Sequence, residues 1–474
     1  MRLLMDLQGL QNGSRDRGIG RYVGALARGL LRNAGSHDIH FILNGLFADQ
    51  VEPVITSFDD FATRDKFHIF EGVGPTAALH DPDRWRHAAS HIAYENFVAN
   101  LNPDVLLIGS LFEGGADNSV VTVPPAECRS YRAVAILYDL IPLLNPDEHL
   151  GSNGARRWYF GKVEQARNAD LLMAISGSAR SEGITNLPSD ADHVIEIGAA
   201  AADHFAELDL DELRTGVLAR TVLNYHAIDK PYLMHVSAHD PRKNFEGLID
   251  AFARLPLALR RAYQLVLVCR LSRQGLARLR MVIARNGLDE SDVVLTGHVP
   301  DDELQILYAN CKLFVFPSFH EGFGLPVIEA MWCGAPAVGS CLSSVPEVIG
   351  LARALFDPNE IDQMVAVITR ALTDSCFRAD LLAHGARHAR SFSWDKVAQK
   401  AMAGMTRLQS FSGELHVRRH DIKSTIDRVA AIDYWPGPSD TDLMLLAHAL
   451  DQNSQQTWLD HPKSSSEVSA ELSQ

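Results

Sequence analysis

Short apolar runs recur along this chain, and longer segments with helical spacing separate them. In the first half these runs lie at 2–7, 40–43, 67–70, 105–108, 133–138, 171–175 and 194–197. In the second half they lie at 232–236, 265–268, 293–295, 313–316 and 337–338. Strands buried on both faces are continuously apolar, and parallel neighbours need crossover helices. The pattern therefore predicts an α/β protein with two doubly wound parallel sheets.

A polar segment with helical character over 207–225 separates the two series of strands. We therefore predict an N-terminal Rossmann-like domain over 1–218 and a second Rossmann-like domain over 219–390. A further helix is predicted over 391–411, with Ser393 as its cap. Residues 412–474 are predicted to form a tail that is partly helical and then disordered, because its end is polar and poor in apolar residues.

Composition narrows the class of protein. The chain has 474 residues and a formal net charge of −15, which disfavours a general nucleic-acid binder. Its six cysteines form no CxxC pair, so they predict reduced cytosolic thiols and no metal site. No apolar run approaches the roughly 18–20 residues of a membrane span, and the N-terminus lacks a secretory-signal pattern. We therefore expect a soluble or peripheral protein.

The stretch 314–347 carries the clearest chemical signal. Gly322 and Gly324 allow close approach of the backbone to a ligand, and Pro326 suits the first turn of a helix. Glu321 and Glu329 bracket that helix start. The backbone amides at the start are those of Phe323, Gly324 and Leu325. Such amides and the helix dipole favour a bound anion. A phosphate site between carboxylates suggests a sugar nucleotide, because carboxylates accept hydrogen bonds from hydroxyls.

Glu321 and Glu329 stand seven residues apart within EGFGLPVIEAMWCGAPAV. This stretch resembles the E-x7-E signature of retaining GT-B glycosyltransferases, family 4. The resemblance covers roughly residues 1–410 and implies two Rossmann-like domains facing across a cleft, with the helix over 391–411 returning to the first domain. It also implies that Glu321 faces the transferred sugar and that Glu329 bonds the ribose. An ordinary strand–helix–strand crossover with a glycine turn is the alternative.

A basic pair, Arg242 and Lys243, follows the first strand of the second domain and precedes a helix. Adjacent cations at this point suit a diphosphate. The pair resembles the one with which the family neutralises the leaving nucleoside diphosphate, although many members have another arginine where this chain has Ser237 and Ala238. The remaining residues expected to line the donor site at strand ends are Ser237, Arg270, His298 and Val299. A solvated turn carrying surface charges is the alternative for the basic pair.

The first domain opens with a strand and a glycine-rich loop that ends at Gly18 and Gly20. The loop is too long for the dinucleotide fingerprint, so an NAD-dependent oxidoreductase is disfavoured. It resembles the family loop that faces the donor diphosphate and the acceptor, and a flexible surface loop is the alternative. Asp139 is expected to orient the acceptor or, alternatively, to cap the following turn. Many members have a histidine where this chain has Tyr138, and a tyrosine is a poor base near neutral pH.

Two other patterns have less specific interpretations. The Asp209-Leu210-Asp211 triplet resembles a metal-binding D-x-D motif, but it lies in a polar interdomain segment and we interpret it as chance. The basic and aromatic residues of 156–162 fit a helix with buried aromatics and solvated arginines. Docking of this cluster to a membrane surface is the alternative.

The resemblance implies a metal-independent retaining hexosyltransferase in surface polysaccharide synthesis, of the lipopolysaccharide O-antigen type. Its donor is a nucleoside diphosphate sugar, and no cofactor is expected. The opening DLQGLQNGSRDRGIGRY and the EGFGLPVIEAMWCGAP block most resemble transferases that use GDP-mannose or GDP-rhamnose. The expected acceptor is a glycan or lipid-linked glycan, in the cytoplasm or at the inner face of the plasma membrane, with partner glycosyltransferases. The alternative function is a non-catalytic GT-B module that binds a sugar nucleotide or a partner transferase.

Overall fold

The computed structural model describes residues 1–15, 17–80, 84–187, 191–205, 208–410, 422–432 and 437–456. Two parallel sheets organise the chain, one in each half. The strands of the first are β1 (Arg2–Asp6), β2 (Asp38–Asn44), β3 (Phe67–Phe70), β4 (Val105–Ile108), β5 (Arg132–Leu137), β6 (Leu171–Ala174) and β7 (Val194–Glu196). The strands of the second are β8 (Tyr232–Val236), β9 (Gln264–Val268), β10 (Val293–Gly297), β11 (Leu313–Phe316), β12 (Ala337–Ser340) and β13 (Leu355–Phe356).

Helices cover both sheets. The first domain contains α1 (Gly18–Arg32), α2 (Ala48–Thr56), α3 (Arg84–Leu101), α4 (Ile141–Leu144), α5 (Pro146–His149), α6 (Asn153–Arg167) and α7 (Gly177–Asn186). Then come α8 (Leu210–Thr215), α9 (Val217–Tyr225), α10 (Phe245–Ala253), α11 (Leu257–Ala262), α12 (Arg273–Arg285), α13 (Asp301–Asn310), α14 (Leu325–Trp332), α15 (Val345–Ile349), α16 (Ile361–Thr373) and α17 (Ser375–His388). The last helices are α18 (Trp394–Ser410), α19 (Ile422–Ala430) and α20 (Asp440–Ser454).

Both sheets reverse direction of winding at an internal strand. Their orders are β3-β2-β1-β4-β5-β6-β7 and β10-β9-β8-β11-β12-β13, with parallel pairing throughout. The winding reverses between β1 and β4 in the first sheet and between β8 and β11 in the second. Ligands of such sheets bind outside the carboxyl ends of the strands at the reversal. The predicted α/β fold with two doubly wound parallel sheets is confirmed, and the loops after these strands are the expected place for a ligand.

The connection between the domains differs from its prediction. A single helical segment was expected over 207–225, but the described part of it forms α8 and α9, separated by Gly216. Gly216 has an extended backbone with φ −60° and ψ 158°, so the helix is interrupted there. Leu218 lies in α9, between the last strand of the first sheet and the first strand of the second. The predicted boundary at this residue stays a prediction.

Helix α18 packs on the first domain, against α1. Gly29 makes the close approach possible, because a Cβ atom there would lie 2.9 Å from the carbonyl oxygen of Trp394. The Trp394 indole Nε1 donates to the carbonyl of Ala201 at 2.9 Å. The chain thus crosses back to the first domain after completing the second, within the range 391–411 predicted for this helix.

The described part of the tail also packs on the first domain. Helices α19 and α20 both contact α3, and the ion pair between Arg428 and Glu95 at 2.5 Å joins α19 to it. Arg86 on α3 pairs with Asp442 on α20 at 2.8 Å. The described part of the tail thus contains the two helices α19 and α20. The disorder expected for the last residues falls outside the part of the chain that the structure describes.

Candidate functional site

The loop between β11 and α14, residues 317–324, is the centre of the candidate site. Gly324 is the N-cap of α14 and has φ +109°, a left-handed backbone that favours glycine. Gly322 serves a different purpose, because a Cβ atom there would lie 2.6 Å from the carbonyl oxygen of Tyr138 and 3.1 Å from Asp139 Oδ2. These two residues belong to the first domain, so the walls of the cleft touch at Gly322.

A buried ion pair joins the basic segment to this loop. Lys243 Nζ donates to both carboxylate oxygens of Glu321, at 2.5 and 2.6 Å. Both residues are buried, with 8% and 6% of their surfaces exposed. Lys243 ends a short 3-10 turn, and the next residue, Asn244, caps α10 with φ +56°. The predicted cation and the predicted sugar-facing carboxylate therefore lie together and neutralise each other.

Arg242 reaches the same loop from beside the ion pair. Its Nη1 donates to the carbonyl oxygen of His320 at 3.2 Å and lies 4.0 Å from Glu321 Oε2. Its Nε donates to Asp240 Oδ2 at 3.1 Å. The guanidinium is only partly buried, so it holds the loop while keeping contact with solvent.

Glu329 lies on α14, which is buried over most of its length. The Tyr308 hydroxyl on α13 donates to Glu329 Oε2 at 3.0 Å. Burial raises the pKa of this carboxyl, and the Tyr308 bond and the charge of Arg21 partly oppose the rise. Arg21 comes from α1 of the first domain, and its Nη2 pairs with Asp301 Oδ1 at 2.8 Å.

Arg21 was missed from the sequence. It lies directly after the glycine loop, so its place near the cleft was foreseeable. Its neighbours Asp301 and Glu329 belong to the other domain, and nothing in the sequence marks that contact. Asp301 is one of the acidic residues in the first turn of α13, and it is also a cross-domain partner.

Asp139 and Tyr138 follow β5 on the opposite wall. Asp139 Oδ1 accepts a hydrogen bond from the amide of Ile141 at 3.1 Å, which is the turn-capping alternative. Burial raises the pKa of Asp139. The Tyr138 hydroxyl donates to the carbonyl of Gly109 at 2.9 Å, and burial raises its pKa well above the usual range. Tyr138 therefore cannot serve as a base near neutral pH, whereas Asp139 lies at the contact between the two walls.

The glycine loop is held by a carboxylate that sequence reasoning missed. Glu113 accepts hydrogen bonds from Asn12 Nδ2 at 2.9 Å, Ser14 Oγ at 3.1 Å and Ser110 Oγ at 3.0 Å. It follows β4, so it joins the two loops at the reversal of the first sheet. The only feature of the sequence that could have identified Glu113 is its position after an apolar run.

Gly18 and Gly20 lie in the first turn of α1, not in the loop before it. A Cβ atom at Gly20 would lie 2.4 Å from the Cα atom of Arg15, so this glycine is required by packing within the loop. Gly18 is exposed and open space surrounds it. Of the two, only Gly18 leaves room for a ligand.

The remaining predicted donor-site residues lie at the carboxyl ends of neighbouring strands. Ser237 follows β8, and its amide donates to the carbonyl of Val268 at 3.1 Å. Arg270 follows β9 and is exposed, and His298 follows β10 and is also exposed. Val299 is buried, so only its backbone is a candidate for contact with a ligand. All of these positions lie at the carboxyl ends of strands of the second sheet, as Lys243 does.

The two less specific patterns have structural explanations. Asp209 Oδ1 caps α8 by accepting from the amides of Asp211 at 3.0 Å and Glu212 at 3.1 Å. Among the described residues, no cluster of three or more His, Cys, Asp or Glu side chains could hold a metal ion. In the other pattern, on α6, Tyr159 is buried as predicted.

Lys162 on α6 differs from the arginines of this cluster, for which solvation was predicted. It is buried, and its Nζ donates to the carbonyl of Val121 at 2.6 Å. Burial lowers its pKa to about 8. Arg157 and Phe160 of the same segment are exposed. A search of the described helices for one that is both long and apolar enough to span a membrane found none.

Comparisons with known proteins agree with this architecture. The profile of the family "Glycosyl transferases group 1" matches residues 224–388, which include Lys243, Glu321 and Glu329. The serotype-specific mannosyltransferase WbdA of Escherichia coli is 36% identical over 455 residues, covering 96% of this chain and 54% of WbdA. The O-antigen chain mannosyltransferase B of Escherichia coli is 33% identical over 268 residues, covering 56% of this chain and 68% of that protein. The chain thus spans about half the length of WbdA.

Solved structures show the same fold at low sequence identity. Anabaena Alr3699/HepE, in complex with UDP and glucose, has a TM-score of 0.60 and 19% identity, covering 86% of this chain and all of that one. WaaG, a glycosyltransferase involved in lipopolysaccharide biosynthesis, has a TM-score of 0.59 and 15% identity, with coverage of 86% and 100%. The predicted GT-B architecture is confirmed.

Proposed function

The chain belongs to the group 1 glycosyl transferases, and from that premise we propose that it transfers a sugar from a nucleoside diphosphate sugar to a hydroxyl of a glycan or lipid-linked glycan. One observation carries the proposal. Lys243, Glu321 and the start of α14 lie together at the carboxyl ends of the strands of the second sheet. The mannosyltransferase relatives favour mannose as the sugar and surface polysaccharide as the product. GDP-mannose is the proposed donor.

In the proposed mechanism, the donor diphosphate lies against the start of α14. The amides of Phe323, Gly324 and Leu325 bind its oxygens there, where the helix dipole favours negative charge. Lys243 is paired with Glu321 in the structure, so an arriving diphosphate competes with that carboxylate for the ammonium group. Glu321 then has free lone pairs for a hydroxyl of the transferred sugar. This exchange stabilises the departing diphosphate without reorganising the backbone.

The remaining groups complete the proposed site. Glu329 accepts bonds from the ribose hydroxyls, and Arg242 adds positive charge beside the leaving phosphate. Asp139 orients the acceptor from the opposite wall. A retaining mechanism in which the leaving phosphate takes the acceptor proton needs no enzyme base, which is compatible with Tyr138. Retention and independence of metal ions are part of this proposal.

The proposal is tested by thermal-shift screening followed by a transfer assay. The purified chain is screened against GDP, UDP, ADP and dTDP, and then incubated with GDP-mannose and mannosylated acceptors. We expect GDP to give the largest stabilisation and transfer to continue in excess EDTA. Loss of transfer in EDTA that Mg²⁺ restores contradicts the metal-free mechanism. Nucleotide binding without transfer or hydrolysis of any common donor instead supports a non-catalytic binding module.

The cellular setting is proposed in the same way. In this proposal the acceptor is lipid-linked and partner glycosyltransferases act together with this chain. The reaction then takes place at the inner face of the plasma membrane. Exposed Phe160 and Arg157 on α6 offer an apolar and a cationic group for peripheral contact with that surface. Co-sedimentation with vesicles of anionic lipid tests this contact, and the double variant Arg157→Glu/Phe160→Ser is expected to abolish it.

A further inference from the structure

Helix α7 of the first domain joins the two walls of the cleft through one carboxylate. Glu182, in the middle of α7, accepts a hydrogen bond from the amide of Leu140 at 2.9 Å through Oε2. Through Oε1 it bonds His320 Nε2 at 2.6 Å. Leu140 directly follows Asp139, and His320 directly precedes Glu321. The same side chain therefore fixes the residues next to the proposed acceptor-side and donor-side carboxylates.

The surrounding contacts leave this carboxylate little freedom. Only 12% of the Glu182 side chain is exposed, and 22% of the His320 side chain. On the donor side, Arg242 holds the carbonyl of His320 at 3.2 Å. On the acceptor side, Asp139 Oδ1 caps the same turn through Ile141. Arg242 holds the donor-side loop independently, so a shift of Glu182 would change the position of turn 138–141 relative to that loop.

A second contact lies beside the first. Ser176 Oγ, at the N-cap of α7, donates to the carbonyl of Gly322 at 2.7 Å and is buried. Gly322 in turn touches Tyr138 and Asp139, as its missing Cβ shows. The distance between the walls is thus set at α7, over the short stretch that contains the proposed reacting groups.

We propose that Glu182 is a positioning residue that fixes the acceptor-side turn 138–141 against the donor-side loop 317–324. The inference rests on the proposed function, because it assigns Glu182 a role in transfer rather than in donor binding. Glu182 lies on the first domain, and its carboxylate bonds Leu140 and His320, neither of which is proposed to hold the nucleotide. Its loss is therefore expected to lower turnover and to leave donor affinity unchanged.

The decisive comparison uses Glu182→Ala, Glu182→Gln and a matched control. Glu347 is the control, since its carboxylate also crosses between the domains, accepting from the amides of Gly177 at 2.8 Å and Ser178 at 2.7 Å. It caps α7 but bonds neither turn 138–141 nor His320. We expect Glu182→Ala to lower kcat by about 10- to 100-fold, because a displacement near 1 Å costs that much in a positioned reaction. The Kd for GDP should stay within about twofold, and Glu347→Ala should lower kcat far less.

The pH profile separates positioning from general stability. Groups that face His320 are Glu182 on α7, Asp139 after β5 and Arg242 before α10, while Tyr159 on α6 lies near Glu182. The Glu182 bond raises the pKa of His320, so the ion pair is complete at lower pH and weakens as the pH rises through that value. Wild-type kcat should fall along that limb. In Glu182→Gln, whose amide still bonds Leu140 and can donate to neutral His320, kcat should recover at higher pH and the limb should disappear.

Hydrogen exchange gives a readout independent of transfer. The Leu140 amide should exchange faster in Glu182→Ala than in wild type. In Glu347→Ala its exchange rate should equal that of wild type. Unchanged kcat in Glu182→Ala, a loss confined to donor Kd, or an equal kcat loss in Glu347→Ala overturns the inference. If wild type transfers no sugar while Leu140 exchange still rises in Glu182→Ala, the proposed function fails and the contact between the walls stands.

Discussion

Lys243 and Glu321 neutralise each other in a buried site, so replacing Lys243 takes away the closest cation of Glu321 and leaves Arg242, 4.0 Å away. Removing one partner of a buried pair costs about 3–5 kcal/mol of stability, whereas replacing both with apolar groups is often neutral. We expect Lys243→Met to lower both the melting temperature and kcat. The double variant Lys243→Met/Glu321→Leu should recover the melting temperature but not kcat. Differential scanning fluorimetry and a transfer assay measure the two quantities.

Lys400→Ala is the control, because this lysine is exposed and lies on α18. It should behave as wild type in both assays. Full activity of the double variant would show that the ion pair serves the fold alone and that the diphosphate binds elsewhere.

Glu329 is expected to trade stability for binding. Its pKa is raised in the folded state by burial, so its contribution to stability is greatest at low pH and is lost as the pH rises through the raised value. Glu329→Gln removes that loss and keeps an oxygen for the Tyr308 hydroxyl. We expect the melting temperature of the ligand-free variant to be about 1–2 °C above that of wild type at pH 7.5. Near pH 4 the two melting temperatures should be equal.

The same variant should bind GDP more weakly, since an amide oxygen is a poorer acceptor for ribose hydroxyls than a carboxylate. Isothermal titration measures the affinity. GDP affinity equal to wild type would place the ribose away from α14. Glu329→Ala should weaken binding at least as much.

At the scale of elements, the apolar runs identified each strand of the two sheets except β13. That strand has only the residues Leu355 and Phe356, too short for a run to be distinguished. The start of α1 was misplaced because its first turn contains Gly18 and Gly20, which read as loop. Helix α8 ends at Gly216, where the backbone is extended, and the spacing of apolar residues does not predict this interruption. Local patterns therefore predicted the buried strands well and the glycine-containing boundaries poorly.

A substitution at Gly322 tests the contact between turn 138–141 and loop 317–324. A Cβ atom there would lie 2.6 Å from a backbone oxygen of Tyr138, which cannot move as a flexible side chain does. Gly322→Ala should therefore separate turn 138–141 from the loop, lowering kcat by about 100-fold while GDP affinity stays near wild type. Gly161→Ala is the control, because open space surrounds Gly161 in α6 and alanine should stabilise it by about 0.5–1 kcal/mol. A normal kcat in Gly322→Ala would show that the closed contact is not used in transfer.

For the whole molecule, the sequence predicted two domains and the donor-side residues but not the contacts between the domains. Lys243 and Glu321 belong to recognisable segments of one domain. His320 and Glu182 are 138 positions apart, and Arg21 and Asp301 are 280 apart. No periodicity relates such residues, since their proximity depends on how the two sheets face each other. The acceptor side is less predictable for the same reason, because it is assembled from separate loops.

The tail supplies a final test at this scale, because its described part packs against an edge strand of the first sheet. Strand β3 lies at the edge of the first sheet, and edge strands with unpaired backbone groups promote association. Asn453 on α20 accepts from the amide of Glu71 and donates to its carbonyl, each at 2.9 Å. Gln456 accepts from the amide of Ile69 at 2.7 Å and donates to its carbonyl. Two side-chain amides thus take the place of a neighbouring strand.

Asn453→Ala/Gln456→Ala should therefore lower the free energy of unfolding and expose the edge. Each unsatisfied buried group costs about 1–3 kcal/mol, so a fall of several degrees in melting temperature is expected. The amides of Ile69 and Glu71 should exchange faster, and analytical ultracentrifugation should detect self-association. The control Gln455→Ala changes an exposed amide next to Gln456 and should alter none of these measurements. If the double variant keeps its melting temperature and slow exchange at Ile69 and Glu71, the tail does not protect this edge in solution, and its packing on α3 must serve another purpose.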